Sequence, residues 1–283
     1  MTNNSPPTRA IFSPFALFGH PGTARGAELL ADAFRELLAD NRREEAPTRA
    51  LAYANRVRMR EVLFENMRDY TAWRQRSRRL VGKAWGKNEF LLWISGNHLG
   101  VLPVYDELAA APESTLVIQF DAHLDIYNLS DCATAPSHGN FLLHVNGQLP
   151  RVWNVGSRDL LLRQEYVPKY YPGVFPAAEL AIDPAPALHA LRQLGQQAER
   201  VFIDIDCDVF DPAYFPAVAQ PVPFGLSTSL FLRFLDAVWS DRVIGLALSE
   251  FDPANDDHDR CLETLMWLLE YVLLRRYEGI PSD

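Results

Sequence analysis

Three segments of the chain place carboxylate and imidazole side chains at short, regular spacing. The segment QFDAHLDIYN, residues 119–128, carries Asp121, His123 and Asp125 at every second position behind the apolar run TLVIQF. In an extended strand such positions point to one face, so these side chains are expected to leave the sheet together. Two carboxylates and an imidazole on a common face form half of a metal site.

Two further segments supply the remaining donors. The run VFIDIDCDVFDP contains Asp206 and Asp208, and the run FLLWISGNH delivers His98 just past a glycine turn. A solvated strand end would explain DAHLD alone, but aspartates that follow VFI in a buried strand are costly without a cation. Two imidazoles and four carboxylates exceed one tetrahedral zinc site and suit two metals with bridging carboxylates. Oxygen-rich coordination favours manganese, so the sequence predicts two Mn²⁺ ions per chain.

Such a centre could do hydrolytic chemistry without a serine or cysteine nucleophile. Two metal ions roughly 3.5 to 4 Å apart lower the pKa of a shared water and supply hydroxide near neutral pH. Glu250, in LALSEFDP, is a candidate for holding a planar amidinium through both oxygens, with a structural salt bridge as the alternative. His138, in APSHGNF, is a candidate for moving a proton to a leaving amine, with local backbone capping as the alternative.

Apolar runs alternate with helix-length amphipathic stretches along the whole chain. Strands are expected within residues 9–19, 90–95, 115–120, 151–156, 200–206 and 243–250, and helices within residues 26–40, 101–110 and 261–276. This rhythm predicts a three-layer α/β/α fold with a mainly parallel sheet of about eight strands. In such sheets ligands bind beyond the carboxyl ends of the strands, which is where the candidate residues fall.

Length and composition narrow the class of protein. We expect a single domain over residues 1–283, disordered at residues 1–9, with solvated helices in the arginine-rich segment 36–88. The formal net charge of −9 argues against nucleic acids and anionic membranes and favours small cationic partners. A signal pattern and a membrane-length apolar run are lacking, and the three cysteines are widely spaced, so a cytoplasmic protein is expected.

The chain resembles the arginase and agmatinase (ureohydrolase) family over nearly its whole length. The resemblance rests on FGHPGTARGAELL, SGNH, DAHLD, SHG, GSRD, DIDCDVFDP, PVPFGLS and SEFDP. It implies a dimanganese site that hydrolyses a guanidino or amidino carbon by attack of metal-bound hydroxide, releasing urea from guanidines. It also implies a homo-oligomer, a trimer or a hexamer.

The resemblance further implies a role for each candidate residue. One metal would be held by His98, Asp121, Asp125 and Asp206, and the other by His123, Asp121, Asp206 and Asp208. Asp121 and Asp206 would therefore bridge the two ions. His138 would match the proton-transfer histidine of the family, and Glu250 its guanidinium-binding glutamate.

Several positions depart from the family pattern or bear on the substrate. Asn97 replaces the acid of the family motif GGDHS, and Asp204 stands where the family often has serine or threonine. Leu161 replaces an acidic residue with which arginases bind the α-amino group, and this argues against L-arginine. Asn128 lies close to an arginase asparagine that binds the α-carboxylate, and Asp159 lies in GSRD, so both are candidates for binding the substrate.

The sequence therefore favours a hydrolase of an agmatine-like or guanidino-acid compound. Arginine and formiminoglutamate are the alternatives within the family. A zinc deacetylase of the histone-deacetylase kind would need tandem histidines, and the chain has no HH pair. A non-catalytic regulatory protein that keeps its metals for structure is the alternative of a different class, and the presence of all six ligands argues against it.

Overall fold

The computed structural model describes residues 5–40, 53, 55–64, 66–127, 135–159, 162 and 165–278. Within these residues, eight strands form one sheet in which every pair of neighbours is parallel. The strands are β1 (Thr8–Ser13), β2 (Val57–Glu61), β3 (Phe90–Ser95), β4 (Thr115–Phe120), β5 (Arg151–Val155), β6 (Gly173–Phe175), β7 (Arg200–Asp206) and β8 (Val243–Ser249). Their order across the sheet is β2-β1-β3-β8-β7-β4-β5-β6.

Helices cover both faces of this sheet. The helices of the described residues are α1 (Gly22–Asp40), α2 (Tyr70–Trp85), α3 (Leu102–Leu108), α4 (Ala177–Ile182), α5 (Ala185–Gln197), α6 (Thr228–Val238) and α7 (Arg260–Glu278). Helices α2 and α3 pack in one apolar cluster, and the other five pack in a second cluster on the opposite face. The predicted three-layer α/β/α architecture with a parallel sheet is therefore confirmed.

The four central strands, β3, β8, β7 and β4, are the ones that the sequence makes most visible. Every residue of β3 and β4 is buried. Because helices cover both faces, these strands carry nearly continuous apolar runs rather than alternating ones. Their carboxyl ends are neighbours along one edge of the sheet, so the residues that follow them meet at its middle.

One expectation about the amino-terminal third is wrong and another is incomplete. Thr8 and Arg9 lie inside β1, so disorder does not extend through residue 9. The segment 36–88 contains the helix α2 and also the strand β2. Because β2 is an edge strand with mostly exposed or half-buried side chains, its sequence contains no apolar run that would predict it. Residues 41–52 of that segment lie outside the described residues.

No described helix is long and apolar enough to cross a membrane. The single-domain assignment stays a prediction.

Candidate metal centre

His98 reaches the carboxyl edge of the sheet through a tight turn after β3. The turn includes Gly96, where an added Cβ would lie 2.2 Å from the carbonyl oxygen of Phe15, so only glycine fits. His98 then begins a 3-10 turn and is completely buried. Its ring lies 4.6 Å from the ring of Phe141, which limits its rotation.

The ligand segment after β4 is a turn and not the extended strand that the spacing predicted. Strand β4 ends at Phe120, and Asp125 has a left-handed backbone with φ 49°. A non-glycine residue in that region is uncommon, and such residues cluster at functional sites. The His123 N–H donates to Asp121 Oδ1 at 2.7 Å and folds the turn back on itself. The three side chains thus converge because of the turn.

Asp206 and Asp208 are likewise divided between the end of a strand and the turn that follows it. Asp206 is the last residue of β7, whereas Asp208 lies in the following 3-10 turn. The backbone N–H of Asp208 donates to Asp206 Oδ1 at 2.9 Å. Cys207, between them, packs in the apolar cluster on the opposite face of the sheet, as its position predicts.

The structure brings all six predicted ligand side chains together. His98 Nδ1 lies 3.2 Å from Asp121 Oδ2, 2.9 Å from Asp125 Oδ2 and 3.2 Å from Asp206 Oδ2. His123 Nδ1 lies 2.8 Å from Asp208 Oδ2 and 3.9 Å from Asp121 Oδ1. Two sets of three donors have the right size for a metal ion, and Asp121 belongs to both, whereas Asp206 joins the cluster through its contact with His98. Both imidazoles present Nδ1 to the carboxylates.

The electrostatics of this cluster fit divalent cations. Burial and the charges of Asp125 and Asp208 raise the pKa of Asp121 well above its usual value, and burial with the charges of Asp208 and Asp121 does the same for Asp206. Among the described residues the buried His98 Nδ1 makes no hydrogen bond, although it faces three carboxylate oxygens. A nitrogen and several oxygens directed at one point satisfy a cation better than they satisfy one another. The role of these residues as ligands stays a prediction.

Glu250 and His138 lie beside the cluster and contact each other. The backbone N–H of His98 donates to Glu250 Oε1 at 2.8 Å, and His138 Nδ1 lies 3.3 Å from the same oxygen. The hydrogen bond to Glu250 raises the pKa of His138 above its ordinary value, although burial opposes it. Glu250 has a left-handed backbone, with φ 65°, directly after β8. An acid and a partly exposed imidazole therefore flank the six donors.

Buried polar side chains that the sequence analysis did not connect with the site lie beneath it. Gln119 Nε2 donates to Asp121 Oδ2 at 3.2 Å, and Tyr171 donates its hydroxyl to Gln119 Oε1 at 2.7 Å. Asp204, deeper on β7, pairs in register with Gln119. The signal was present in the sequence, because both residues precede a predicted ligand by two positions, and Asp204 shares the strand β7 and its face with Asp206.

Asp159 and the residues near it hold the ligand turn. Asp159 Oδ2 accepts from the Leu124 N–H at 2.9 Å, and Oδ1 accepts from the Tyr127 hydroxyl. Its predicted contact with substrate stays a prediction.

Among the positions that depart from the family pattern, Asn97 donates to the carbonyl oxygen of Leu17 at 2.9 Å. Asn128 and Leu161 lie outside the described residues.

Arg158 braces the ligand turn after β7, and we expect its replacement by alanine to destabilise the protein. Its guanidinium donates to the carbonyl oxygens of four residues: Gly156, Asp208, Val209 and Val222. Hydrogen bonds with a charged partner contribute about 1.5–3 kcal/mol each, so Arg158→Ala should lower the free energy of unfolding by about 3 kcal/mol or more. Urea denaturation followed by circular dichroism measures this change.

Arg25→Ala is the matched control, because Arg25 makes an exposed ion pair with Glu28 three residues away. Such pairs contribute less than about 1 kcal/mol. Equal losses of unfolding free energy in the two variants would contradict the bracing role of Arg158.

The fold and this cluster define a three-layer α/β/α protein with a candidate two-metal centre at the carboxyl edge of its sheet. A sequence profile of the arginase family matches residues 13–274. The chain therefore belongs to the arginase family.

Individual relatives are more distant. An N(1)-aminopropylagmatine ureohydrolase from Thermus thermophilus is 27% identical over 177 residues, which are 60% of this chain and 57% of that protein. The chain thus spans little more than half the length of this relative. Arginase from Bacillus subtilis superposes with a TM-score of 0.76 at 20% identity, covering 94% of this chain and 98% of that one. Formimidoylglutamase from the same organism gives 0.76 at 19% identity, covering 98% and 87%. At such identities the superpositions establish the fold alone.

Proposed function

We propose that the protein is a dimanganese ureohydrolase that cleaves a C–N bond of a linear guanidino or amidino compound, agmatine-like or a guanidino acid. The observation that supports this proposal is the grouping of five ligand-type side chains in two adjoining donor sets, with Asp206 in contact with His98, beside the Glu250–His138 pair. When bound, two metal ions lower the pKa of a shared water, so the attacking group comes from solvent. The chain's own residues must then bind, orient and protonate the substrate.

Glu250 is the residue that would hold the cationic end of the substrate. It is nearly buried, and its Oε1 is fixed by the backbone of His98. A carboxylate beside a metal ligand, held in one orientation, can pair with a planar guanidinium through charge-assisted hydrogen bonds. This pairing would set the central carbon of the substrate next to the six donors.

His138 would move the proton that the leaving amine needs. Its side chain is 27% exposed and lies at the mouth of the cluster, within contact of Glu250. The raised pKa of His138 increases the share of its imidazolium form, which is the form that can donate a proton. Loss of the amine as a neutral molecule then needs no other acid.

Charge supports a cationic substrate. Four ligand carboxylates can balance two divalent ions, and Glu250 adds one negative charge beside them. The net charge of −9 also attracts cations to the protein as a whole. Similarity to an N(1)-aminopropylagmatine ureohydrolase supports an agmatine-like compound, while arginine and formiminoglutamate remain the alternatives within the family. A trimeric or hexameric assembly and a cytoplasmic location stay predictions.

The test is release of urea, or of formamide from formiminoglutamate, or of ammonia from guanidine, by the Mn²⁺-loaded protein over a panel of compounds. The panel contains agmatine, arginine, guanidinobutyrate, guanidinopropionate, formiminoglutamate and guanidine. We expect the wild-type protein to turn over one linear cationic compound. The His138→Ala and Glu250→Gln variants should each retain no more than about 1% of that activity, because a positioned acid–base group contributes about 10²–10⁴-fold. Two bound metals without turnover of any compound would favour the non-catalytic alternative.

A further inference from the structure

A buried carboxylate that is not itself a ligand lies directly behind His98. Asp204 is completely buried on β7, two residues before Asp206, and its Oδ2 lies 3.0 Å from His98 Nε2. The opposite nitrogen of the same ring, Nδ1, faces Asp121, Asp125 and Asp206. His98 therefore stands between an acid behind it and the predicted metal in front.

A second donor fixes that acid in turn. The hydroxyl of Tyr105, from α3, donates to the same oxygen of Asp204 at 2.7 Å. The Tyr105 ring packs edge-on against Phe141 at 5.2 Å, and Phe141 also contacts the His98 ring. The orientation of the imidazole is thus defined on its edge by Asp204 and on its face by Phe141.

We propose that Asp204 is a positioning residue which, held by Tyr105, keeps the proton of His98 on Nε2 and turns Nδ1 toward the first metal; the inference rests on the proposed two-metal function. Imidazole that ligates through one nitrogen needs its other N–H directed to an acceptor. An acceptor at Nε2 selects the tautomer whose Nδ1 lone pair is available. No described residue competes for the Nε2 proton, since only Asp204 contacts that atom.

Fold stability alone does not account for this carboxylate. Asp204 Oδ1 is buried and accepts no hydrogen bond among the described residues. A buried ionic group that lacks some of its hydrogen bonds frequently contributes nothing to the stability of the fold or lowers it. The chain keeps the acid at the one place where its other oxygen reaches a ligand-type histidine, and this favours a role in the site.

The second metal set offers an internal comparison. His123 Nδ1 faces Asp208, and of these two histidines His98 is the one that contacts Asp204. Loss of Asp204 should therefore weaken the binding of the metal ion on the His98 side and leave the binding on the His123 side unchanged. A general loosening of the fold would weaken both.

The experiment is a Mn²⁺ titration followed by electron paramagnetic resonance, in which the signal of free aqueous Mn²⁺ is lost on binding. His98→Asn and His123→Asn serve as references that assign each binding step to one side of the site. In Asp204→Leu, which removes the acceptor, we expect the His98-side affinity to fall about 10–100-fold and the His123-side affinity to change little. Asp204→Asn retains an oxygen acceptor and Tyr105→Phe retains Asp204, so both should lose less.

Turnover adds a second readout. With an active substrate, Asp204→Leu should regain most of its kcat at saturating Mn²⁺ and keep its KM, because Asp204 contacts His98 and not the predicted substrate residues. A merely structural defect would not be repaired by added metal. Asp106→Asn is the control for removing a buried acid, since Asp106 binds Arg74 instead of a ligand.

The proposal is overturned if Asp204→Leu binds both Mn²⁺ ions as wild type does, if it weakens both sides equally, or if Asp106→Asn gives the same loss. A wild-type protein that binds no Mn²⁺ overturns it as well. A wild-type protein that binds two ions but hydrolyses nothing refutes the proposed function alone, because the titration still compares the two sides.

Discussion

Replacing Asp206 by asparagine is expected to abolish turnover and, in the metal-free protein, to raise stability. Asp206 is the predicted bridging ligand on β7, and its Oδ2 lies 3.2 Å from His98 Nδ1. Asparagine keeps the size and the Oδ1 contact with the Asp208 N–H but removes the charge. Activity should fall by more than about 10³-fold, the upper range for loss of a single preorganised electrostatic group.

Stability should change in the opposite direction because of like-charge crowding. Burial and the charges of Asp208 and Asp121 raise the pKa of Asp206 well above its usual value, so its charged form is disfavoured in the folded, metal-free protein. A neutral isostere relieves this repulsion. A gain on the order of 1 kcal/mol corresponds to about 2 °C in Tm for a chain of this length, which differential scanning calorimetry in chelator resolves.

Asp211→Asn is the matched control for this pair of effects. Asp211 lies five residues further along the same segment and accepts the N–H groups of Ala213 and Gly225. Its replacement should lower stability slightly and leave both metals in place. If Asp206→Asn also lowered the Tm of the metal-free protein, the repulsion inferred for the cluster would be refuted, whatever happened to activity.

The central strands were predictable from the sequence because strands that are buried on both faces consist mainly of apolar residues. Strands β3, β4, β7 and β8 carry nearly continuous apolar runs, and polar residues are concentrated toward their carboxyl ends. Since parallel strands share one carboxyl edge, six candidate ligands could be placed at a common site. Edge strand β2 could not be found in the same way, because its side chains contact solvent and follow no apolar pattern.

Local geometry within the site was less predictable. The spacing of Asp121, His123 and Asp125 was interpreted as an extended strand, but the chain turns after Phe120 and Asp125 is left-handed. Tertiary contacts impose that turn, and they are non-local: Leu124 is bonded to Asp159, 35 residues away. The spacing of Asp204 from Asp206 indicates a shared strand face, but the contact between Asp204 and His98 was not predictable, since the two residues are 106 positions apart and meet only through the strand order.

Mn²⁺ affinity is expected to weaken steeply as the pH falls. Burial lowers the pKa of His123, but the hydrogen bond and charge of Asp208 outweigh it and raise the pKa to about 11 in the metal-free protein. For His98, burial is likewise outweighed, by the charge of Asp204 and the contacts with Asp121 and Asp125, and the pKa is raised well above its ordinary value. Ligation needs neutral imidazole, so metal must displace these protons.

Each displaced proton should reduce the affinity about tenfold for each unit that the pH falls below the raised pKa. Calorimetric titration of Mn²⁺ at pH 7 in buffers of different ionisation enthalpy counts the protons released, and we expect more than one per chain, because the histidines and the carboxyls with raised pKa values both give up protons to the metal. His189→Gln, on α5, is the control and should release the same number. His123→Asn should release fewer. Binding without proton release would mean that the histidines are neutral before metal arrives.

The same protons determine how the metal-free protein responds to alkali. A histidine whose folded pKa lies above its unfolded value of about 6.5 stabilises the fold below that pH, and the contribution is lost as the pH rises through the folded pKa. For His123 the loss extends from about 6.5 toward about 11. The raised pKa values of Asp121 and Asp206 act in the same direction. The Tm in chelator should therefore fall between pH 7 and pH 9, whereas the Tm with excess Mn²⁺ should rise, because the metal ions take over the carboxylates as the protons leave.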